Sequence, residues 1–476
     1  MIFSSFEFLF LFLPIVLLLV AMWKSITYQN TILFIASILF YAWGGVSYTS
    51  IVLASIVINY FAGILIGTSK KKKLYLAVAV FLNLGMLGFF KYFNFLTDNY
   101  NLLTSVFNIS PVTVQKVILP IGISFYTFQG LSYLVDVYRK TVDPQRNFIK
   151  LGTYIAIFPA LIAGPIIRYN EIHEQLCHRK INVSNFYDGV KRFMFGLARK
   201  VLIANQLAVM VDDIFSHSPS EISMLTAWLG IIGYALQIYH DFAGYSDMAL
   251  GLGKMLGFNF PENFNFPYIA QSIQQFWRRW HITLSAWFKN YLYIPLGGNK
   301  CSQKRVLLNL YIVFFLTGLW HGASWNFVIW GLIHGTFLVL ERVGLSRLLS
   351  KTFGFVQHFY TLFVVLIAWV FFRIDDLTTA LDYTIALFGG TSPATPNLYI
   401  YRYFSIDFVI IFVIGILGTT NFFGLINNQI NKLAQRFSFI LYLKYFLVAI
   451  GIVFVLFIII NQLVIGSYNP FIYYRF

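Results

Sequence analysis

Charge is what this chain has least of. Only 11% of its 476 residues are Asp, Glu, Lys or Arg, while 58% are hydrophobic. Ordinary soluble domains carry about 25% charged residues, so a soluble fold is excluded. Apolar runs long enough to cross the hydrocarbon, about 17 to 25 residues, recur from Phe8–Met22 through Tyr442–Ile465, and we count about eleven. Cysteine is nearly absent. The two present, Cys177 and Cys301, form no CxxC and no zinc spacing, which leaves a redox or metal role without support. Both lie near basic loops and are expected as reduced cytoplasmic thiols, although a single disulfide stays open. Acidic residues are also scarce, 18 against 34 Lys and Arg, for a net charge of +16. The cations gather between spans: Lys70 to Lys73; Arg139, Lys140 and Arg146; Arg179 and Lys180; Lys300, Lys304 and Arg305; Arg342, Arg347 and Lys351. Such clusters hold loops in the cytoplasm, which puts the amino terminus outside. Nucleic acid, the other habitual partner of a basic chain, does not fit so apolar a sequence. The opening MIFSSFEFLFLFLP has neither a basic leader nor a cleavage site and reads as a retained first span.

What is there changes in texture along the chain. Residues 1–91 read as ordinary scaffold spans. From residue 112 to 335, Gly, Pro, Arg, Asp and His are threaded through apolar sequence, as in LPIGISFYTFQGLSYLVDVYRK and IYHDFAGYSDMALGLGKMLGFNFPENFNFPY. Polar or broken backbone at membrane depth persists only inside protein or around a watery cavity, so this core is expected to enclose something. Residues 336–476 return to long spans, with TSPATPN at residues 391–397 as the clearest loop. No repeat of fixed period is evident, and the whole of 1–476 reads as one polytopic domain.

Two stretches hold candidate chemistry. In QQFWRRWHITLSAWFKNYLYIPLGGN, residues 274–299, Trp277, Trp280, Trp287, Tyr291 and Tyr293 alternate with Arg278, Arg279, His281 and Lys289, the make-up of an interfacial helix. On a continuous helix Trp277, His281 and Ser285 share one stripe, which places His281 among the aromatics; a solvated anchor remains the rival. In TGLWHGASWNFVIWGLIHG, residues 317–335, His321 follows an apolar run without a loop and is placed near the inner end of a span, where an ionisable residue defaults to function. Gly318 with Gly322, and Gly331 with Gly335, have the spacing that lets helices approach closely. His334 reads as a packing or hydrogen-bonding residue.

Other motifs fail. HEQLCH sets its histidines at 173 and 178, one residue too far apart for the HExxH metal site; GLGKMLG follows no strand; no GxSxG elbow occurs. No metal is expected. Asp136, Asp241 and Asp247 remain as polar residues in membrane-like sequence; the two in DFAGYSD are expected to satisfy backbone and arginine groups in a buried turn.

Taken in order, MIFSSFEFLFLFLP, FYAWG, LPIGISFYTFQ, AGP at 163–165, DFAGYSDMALG, FWRRWHITLS, YIPLGGN and GLWHGASWNFVIWG give a chain that resembles the membrane-bound O-acyltransferases over essentially its whole length. Within them it resembles the branch of the alginate O-acetyltransferase membrane subunit. The resemblance implies an all-α integral membrane fold, its spans and re-entrant or interfacial helices set around a central funnel or tunnel, in a bacterial inner membrane. It implies that His321 matches the family's nearly invariant histidine and His281 its second polar position. His240 departs from the aromatic residue expected there. The implied reaction moves an acyl group, acetyl foremost, from a thioester to a hydroxyl.

That chemistry suits the residues. An alcohol needs a base as it attacks, and histidine is the usual one near neutral pH; His321 is the candidate. A tetrahedral intermediate needs donors for its oxyanion, for which His281, Asn326 and the indoles of Trp320 and Trp325 are candidates. Arg278, Arg279, Lys289 and Arg305 suit a phosphate-rich donor such as acetyl-coenzyme A, the co-substrate expected with no bound cofactor, and equally suit positive-inside anchoring. Tyr473 in the tail GSYNPFIYYRF could relay an acyl group or dock an extracytoplasmic partner that serves an exported polysaccharide. Acyl transfer from a carrier protein, D-alanyl included, is a second reading. A transporter lined by histidines is a third, against which stands the lack of paired broken segments in two halves.

Overall fold

A computed structural model describes residues 1–390 and 400–464, and among them the chain is helical, with no β-strand. The helices are α1 Phe8–Met22, α2 Ile26–Ala42, α3 Val46–Thr68, α4 Lys72–Ser105, α5 Ile123–Tyr138, α6 Phe148–Ala156, α7 Val183–Ser216 and α8 Met224–Met255. Two short pieces follow, α9 Ile273–Trp277 and α10 Ile282–Phe288. Then come α11 Gln303–His321, α12 Trp325–Leu340, α13 Gly354–Arg373, α14 Leu377–Leu387, α15 Ile406–Gly418, α16 Phe422–Arg436 and α17 Ser438–Val464.

Six helices are long and apolar enough to cross a membrane, seven if α15 and α16, bent by 74° to one another, count as one span. The expected eleven are not reached by this measure. Helices α1 and α2 are apolar but shorter than a full span, as is α5, with 16 residues.

The middle of the chain is built on α7 and α8, which lie against each other. Glycines make the approach possible: a Cβ on Gly196 would stand 2.5 Å from the carbonyl oxygen of Gly244, and one on Gly251 would stand 2.7 Å from that of Gly189. A π turn over Arg199–Ala204 widens α7, and Arg199 and Lys200 are both buried there. Lys200 pairs with Asp241 at 2.7 Å, and Arg199 with Asp247 at 2.8 Å. DFAGYSD is therefore not a turn, as its glycine and two aspartates suggested, but the middle of a 32-residue helix whose charges are met by the neighbouring helix. His240 belongs to the same contact. Its Nδ1 accepts from Arg199 Nε at 3.3 Å, so Nε2 carries the proton and donates to the Gly415 carbonyl at 2.9 Å, tying α8 to α15.

The basic loops gather on one face. Tyr60 donates to the Arg146 carbonyl, Lys72 lies over the Tyr138 ring, and Arg139 donates to the Asn290 carbonyl. By the positive-inside tendency such a face is expected in the cytoplasm. Helix α11 begins there, at Lys304 and Arg305, and ends at His321. His321 thus stands at the end of α11 opposite these two cations. The two cysteines are free thiols: Cys177 accepts from Lys150 Nζ at 3.3 Å, and Cys301 donates to the Gly298 carbonyl at 3.4 Å.

Candidate active site

The segment around His281 is not one helix. It breaks after Trp277 and resumes at Ile282, and His281, in the left-handed region at φ 43° and ψ 55°, is the residue at the break. The proposed stripe of Trp277, His281 and Ser285 is therefore interrupted, because a left-handed residue turns the chain out of helical register. The turn is held from residues 263–265: Ile282 N donates to the Asn263 carbonyl at 2.9 Å, and Asn265 N to the Arg279 carbonyl at 2.9 Å. The Asn263 side chain reaches further, its Oδ1 lying 3.0 Å from His281 Nδ1 and 2.9 Å from Thr283 Oγ1. Thr283 Oγ1 in turn accepts from Ile166 N, next to AGP, at 3.0 Å. Motifs far apart in sequence meet here through buried polar atoms.

His321 lies at the last turn of α11, buried against Trp320, Trp330 and Phe372, whose rings stand 5.0, 4.8 and 5.2 Å away. The indole of Trp320 also touches His281, at 5.9 Å, so one side chain separates the two histidines. The end of α11 is capped by another helix. Its terminal carbonyls have no partners within the helix; Tyr92 of α4 donates to the Leu319 carbonyl at 2.8 Å, and the ammonium of Lys91, the preceding residue, donates to the carbonyls of Trp320 and His321. A cation at a helix carboxyl end also meets the negative end of the helix dipole. Lys91 completes its set with Ser124 Oγ of the LPIGISF motif at 3.3 Å.

The other predicted residues fall into distinct places. Trp320 Nε1 has no hydrogen-bond partner among the described residues. Trp325 donates its indole N–H to Asn99 at 2.9 Å and is exposed, and Asn326 donates to the Ile374 carbonyl at 2.5 Å. Arg278 and Lys289 stand together at a groove of about 230 Å³ lined also by Trp277, Ser285, Phe314 and Thr317, the last one turn before His321. Within it Trp277 Nε1 and Ser285 Oγ are buried with no hydrogen-bond partner among the described residues. Arg279 turns elsewhere, to the Asn265 carbonyl at 3.0 Å, and Arg305 is exposed on the first turn of α11. His334 stacks on Phe276 at 5.9 Å and meets Trp277 and Trp330 edge on, with neither ring nitrogen partnered among the described residues. Tyr473 lies outside the described residues.

A second, larger cleft of about 580 Å³ lies on the other side of Asn263. Arg192, Asp247, Glu262 and Tyr239 line it, and the break between α15 and α16 closes it. Arg192 bridges Asp247 and Glu262 at 2.7 and 2.6 Å.

Sequence reasoning missed Lys91 and Asn263. A lone lysine inside a 34-residue apolar helix is itself a signal. Nothing local marks Asn263, one of three asparagines in PENFNFP and its flanks.

Two histidines and a lysine buried around one indole, beside a groove, mark a candidate site and not a simple anchor. Comparison with known proteins supplies the class. Residues 145–380 match the membrane-bound O-acyltransferase family. The chain is 43% identical over 393 residues to the probable alginate O-acetylase AlgI of Azotobacter vinelandii, covering 82% of this chain and 78% of that one. It is 37% identical to the peptidoglycan O-acetyltransferase of Helicobacter pylori, covering 82% and 80%. To the teichoic acid D-alanyltransferase of Bacillus subtilis it is 30% identical, over 46% and 58%. The chain belongs to the membrane-bound O-acyltransferase family, and it is an acyltransferase of the alginate O-acetylase type.

Proposed function

We propose that this enzyme moves an acetyl group from a cytoplasmic thioester, acetyl-coenzyme A or an acyl carrier protein, to hydroxyls of an exported polysaccharide, directly or through an extracytoplasmic partner acyltransferase. The observation that carries it is the burial of His321 at the capped end of α11, one turn beyond a groove whose mouth holds Arg278 and Lys289. The groove suits an apolar thioester arm with an anionic head. In the transfer, a ring nitrogen of His321 takes the hydroxyl proton as the oxygen bonds to the thioester carbonyl carbon. The C–S bond then breaks, and the thiolate leaves with the proton from the imidazolium. The indole N–H of Trp320, without a partner among the described residues, is the preferred candidate donor for the oxyanion, since the N–H of Trp325 is engaged by Asn99 and Asn326 Nδ2 is held at the Ile374 carbonyl.

Purified protein in nanodiscs should release free thiol from acetyl-coenzyme A when an acceptor glycan is present, and His321→Ala should lower that rate by a factor of about 10² or more. Equal release by the variant would remove His321 from the role of base. The acceptor remains the part argued by likeness, alginate and peptidoglycan both being named among the relatives. A D-alanyl donor is the second reading, favoured by the teichoic acid relative. Mass spectrometry of surface glycans from a deletion strain separates the two by the mass of the missing group. Loss of neither group would overturn both.

A further inference from the structure

We infer that Asn263 is a positioning residue that fixes the proton of His281 on Nδ1, so that His281 presents a bare Nε2 to the site as a hydrogen-bond acceptor. This rests on His281 belonging to the acyl-transfer site proposed above. The inference starts from the orientation of a buried amide. The side-chain oxygen of Asn263 faces the backbone N–H of Thr283 at 3.4 Å, a group that can only donate. It also faces Thr283 Oγ1 at 2.9 Å, a hydroxyl that accepts from Ile166 N and has its own proton to give to Asn263. The Asn263 Nδ2 group points the other way, to Ser246 Oγ at 3.1 Å. An amide flipped end for end would set its NH₂ against the Thr283 N–H. The atom 3.0 Å from His281 Nδ1 is therefore an oxygen, and Nδ1 must donate to it.

A neutral imidazole has one N–H, so the remaining nitrogen is an acceptor. His281 is fully buried and its Nε2 has no hydrogen-bond partner among the described residues. The ring is held on three sides, by Asn263, by Phe242 at 4.8 Å and by Trp320 at 5.9 Å, and its backbone is pinned in the left-handed turn. The ring cannot flip without losing the bond to Asn263. In this state it cannot give a hydrogen bond to an oxyanion, which its place among the candidate oxyanion donors required. Its partner has to be a donor, and the substrate donor that an acetylated glycan brings is a hydroxyl. A sugar carries further hydroxyls beside the one being acetylated. His281 Nε2 holds one of these while His321 deprotonates its neighbour, so that Asn263 contributes to the choice of acceptor and not to recognition of the thioester.

Nitrogen-15 NMR of histidine-labelled enzyme in nanodiscs, with the His281 signals assigned by their loss in His281→Gln, reports the tautomer directly. The wild type should show a protonated Nδ1 and a bare Nε2; a protonated Nε2 would overturn the inference at once. In Asn263→Leu the fixed tautomer should give way to a mixture, kcat should fall by about 10- to 100-fold, and KM for acetyl-coenzyme A should stay within about twofold. Asn263→Asp, which still accepts from Nδ1, should restore kcat to within about tenfold of the wild type. Wild-type turnover in Asn263→Leu, or a matching rise in the KM for acetyl-coenzyme A, would refute the positioning role. If Asn263→Leu does not fold, the wild-type spectrum and the Asp variant still decide. The reading of His321 as base fails separately, through His321→Ala, without touching the tautomer result.

Discussion

At the scale of the residue, Lys91 sets two effects against each other. Burying an ammonium costs several kcal/mol, while each hydrogen bond from a charged donor contributes about 1.5 to 3 kcal/mol, and Lys91 makes three, to the carbonyls of Trp320 and His321 and to Ser124. The two sums are of similar size, so Lys91→Met should change the thermal midpoint by only a few degrees. Turnover should suffer far more, by about tenfold or greater, because the last turn of α11 loses the partner that holds the His321 backbone; an assay of acetyl transfer that returned the wild-type rate would show that the cap is dispensable. His321 was legible in the sequence, since an imidazole after an uninterrupted apolar run demands an explanation. Lys91 carries the same kind of signal, an ionisable residue deep in an apolar helix, but a reading of residues 1–91 as scaffold passes over it. Asn263 was not legible, because its importance lies in which atoms fold toward it from Ile166, Ser246 and Thr283.

At the scale of the element, the glycine spacing in α11 and α12 predicted close packing, but the pairs act across the two helices. A Cβ on Gly331 would sit 2.3 Å from the Phe314 carbonyl oxygen, and Gly331 already meets the backbone of Gly318. Gly331→Ala should therefore destabilise by about 1 to 3 kcal/mol through overpacking. Gly88 in α4 faces open space, and Gly88→Ala should be neutral or stabilise by about 0.5 to 1 kcal/mol. Melting curves of the two variants in one detergent check the contrast, and equal shifts would contradict it. The break at His281 was not legible, because FWRRWHITLS holds no Gly or Pro to mark it and the turn is imposed by hydrogen bonds from residues 263–265. Glu341 sets the start of this segment, its carboxylate accepting from Ile273 N at 2.6 Å and Gln274 N at 3.0 Å. Glu341→Ala leaves those two amides without their acceptor, and a loss of about 1 to 3 kcal/mol is expected in the same melting assay; an unchanged midpoint would argue that water replaces the carboxylate.

At the scale of the whole molecule, composition was enough to give a helical membrane protein, but not the number of spans. Hydropathy averages over both sides of a helix, whereas α8, with Asp241 and Asp247 buried against α7, has its polarity answered inside the protein. The cation clusters carry the expected orientation, and the structure brings several of them to one face. Both free thiols lie toward that face. A membrane-impermeant maleimide added outside intact cells should label neither Cys177 nor Cys301, while inverted vesicles should label at least one; labelling from outside would reverse the assigned orientation. One consequence concerns motion. Sliding α11 along its axis by a single residue, about 1.5 Å, would break the bonds from Lys91 and Tyr92 together. Helices α4 and α11 are therefore expected to move together, with any opening that admits a substrate formed between other helices.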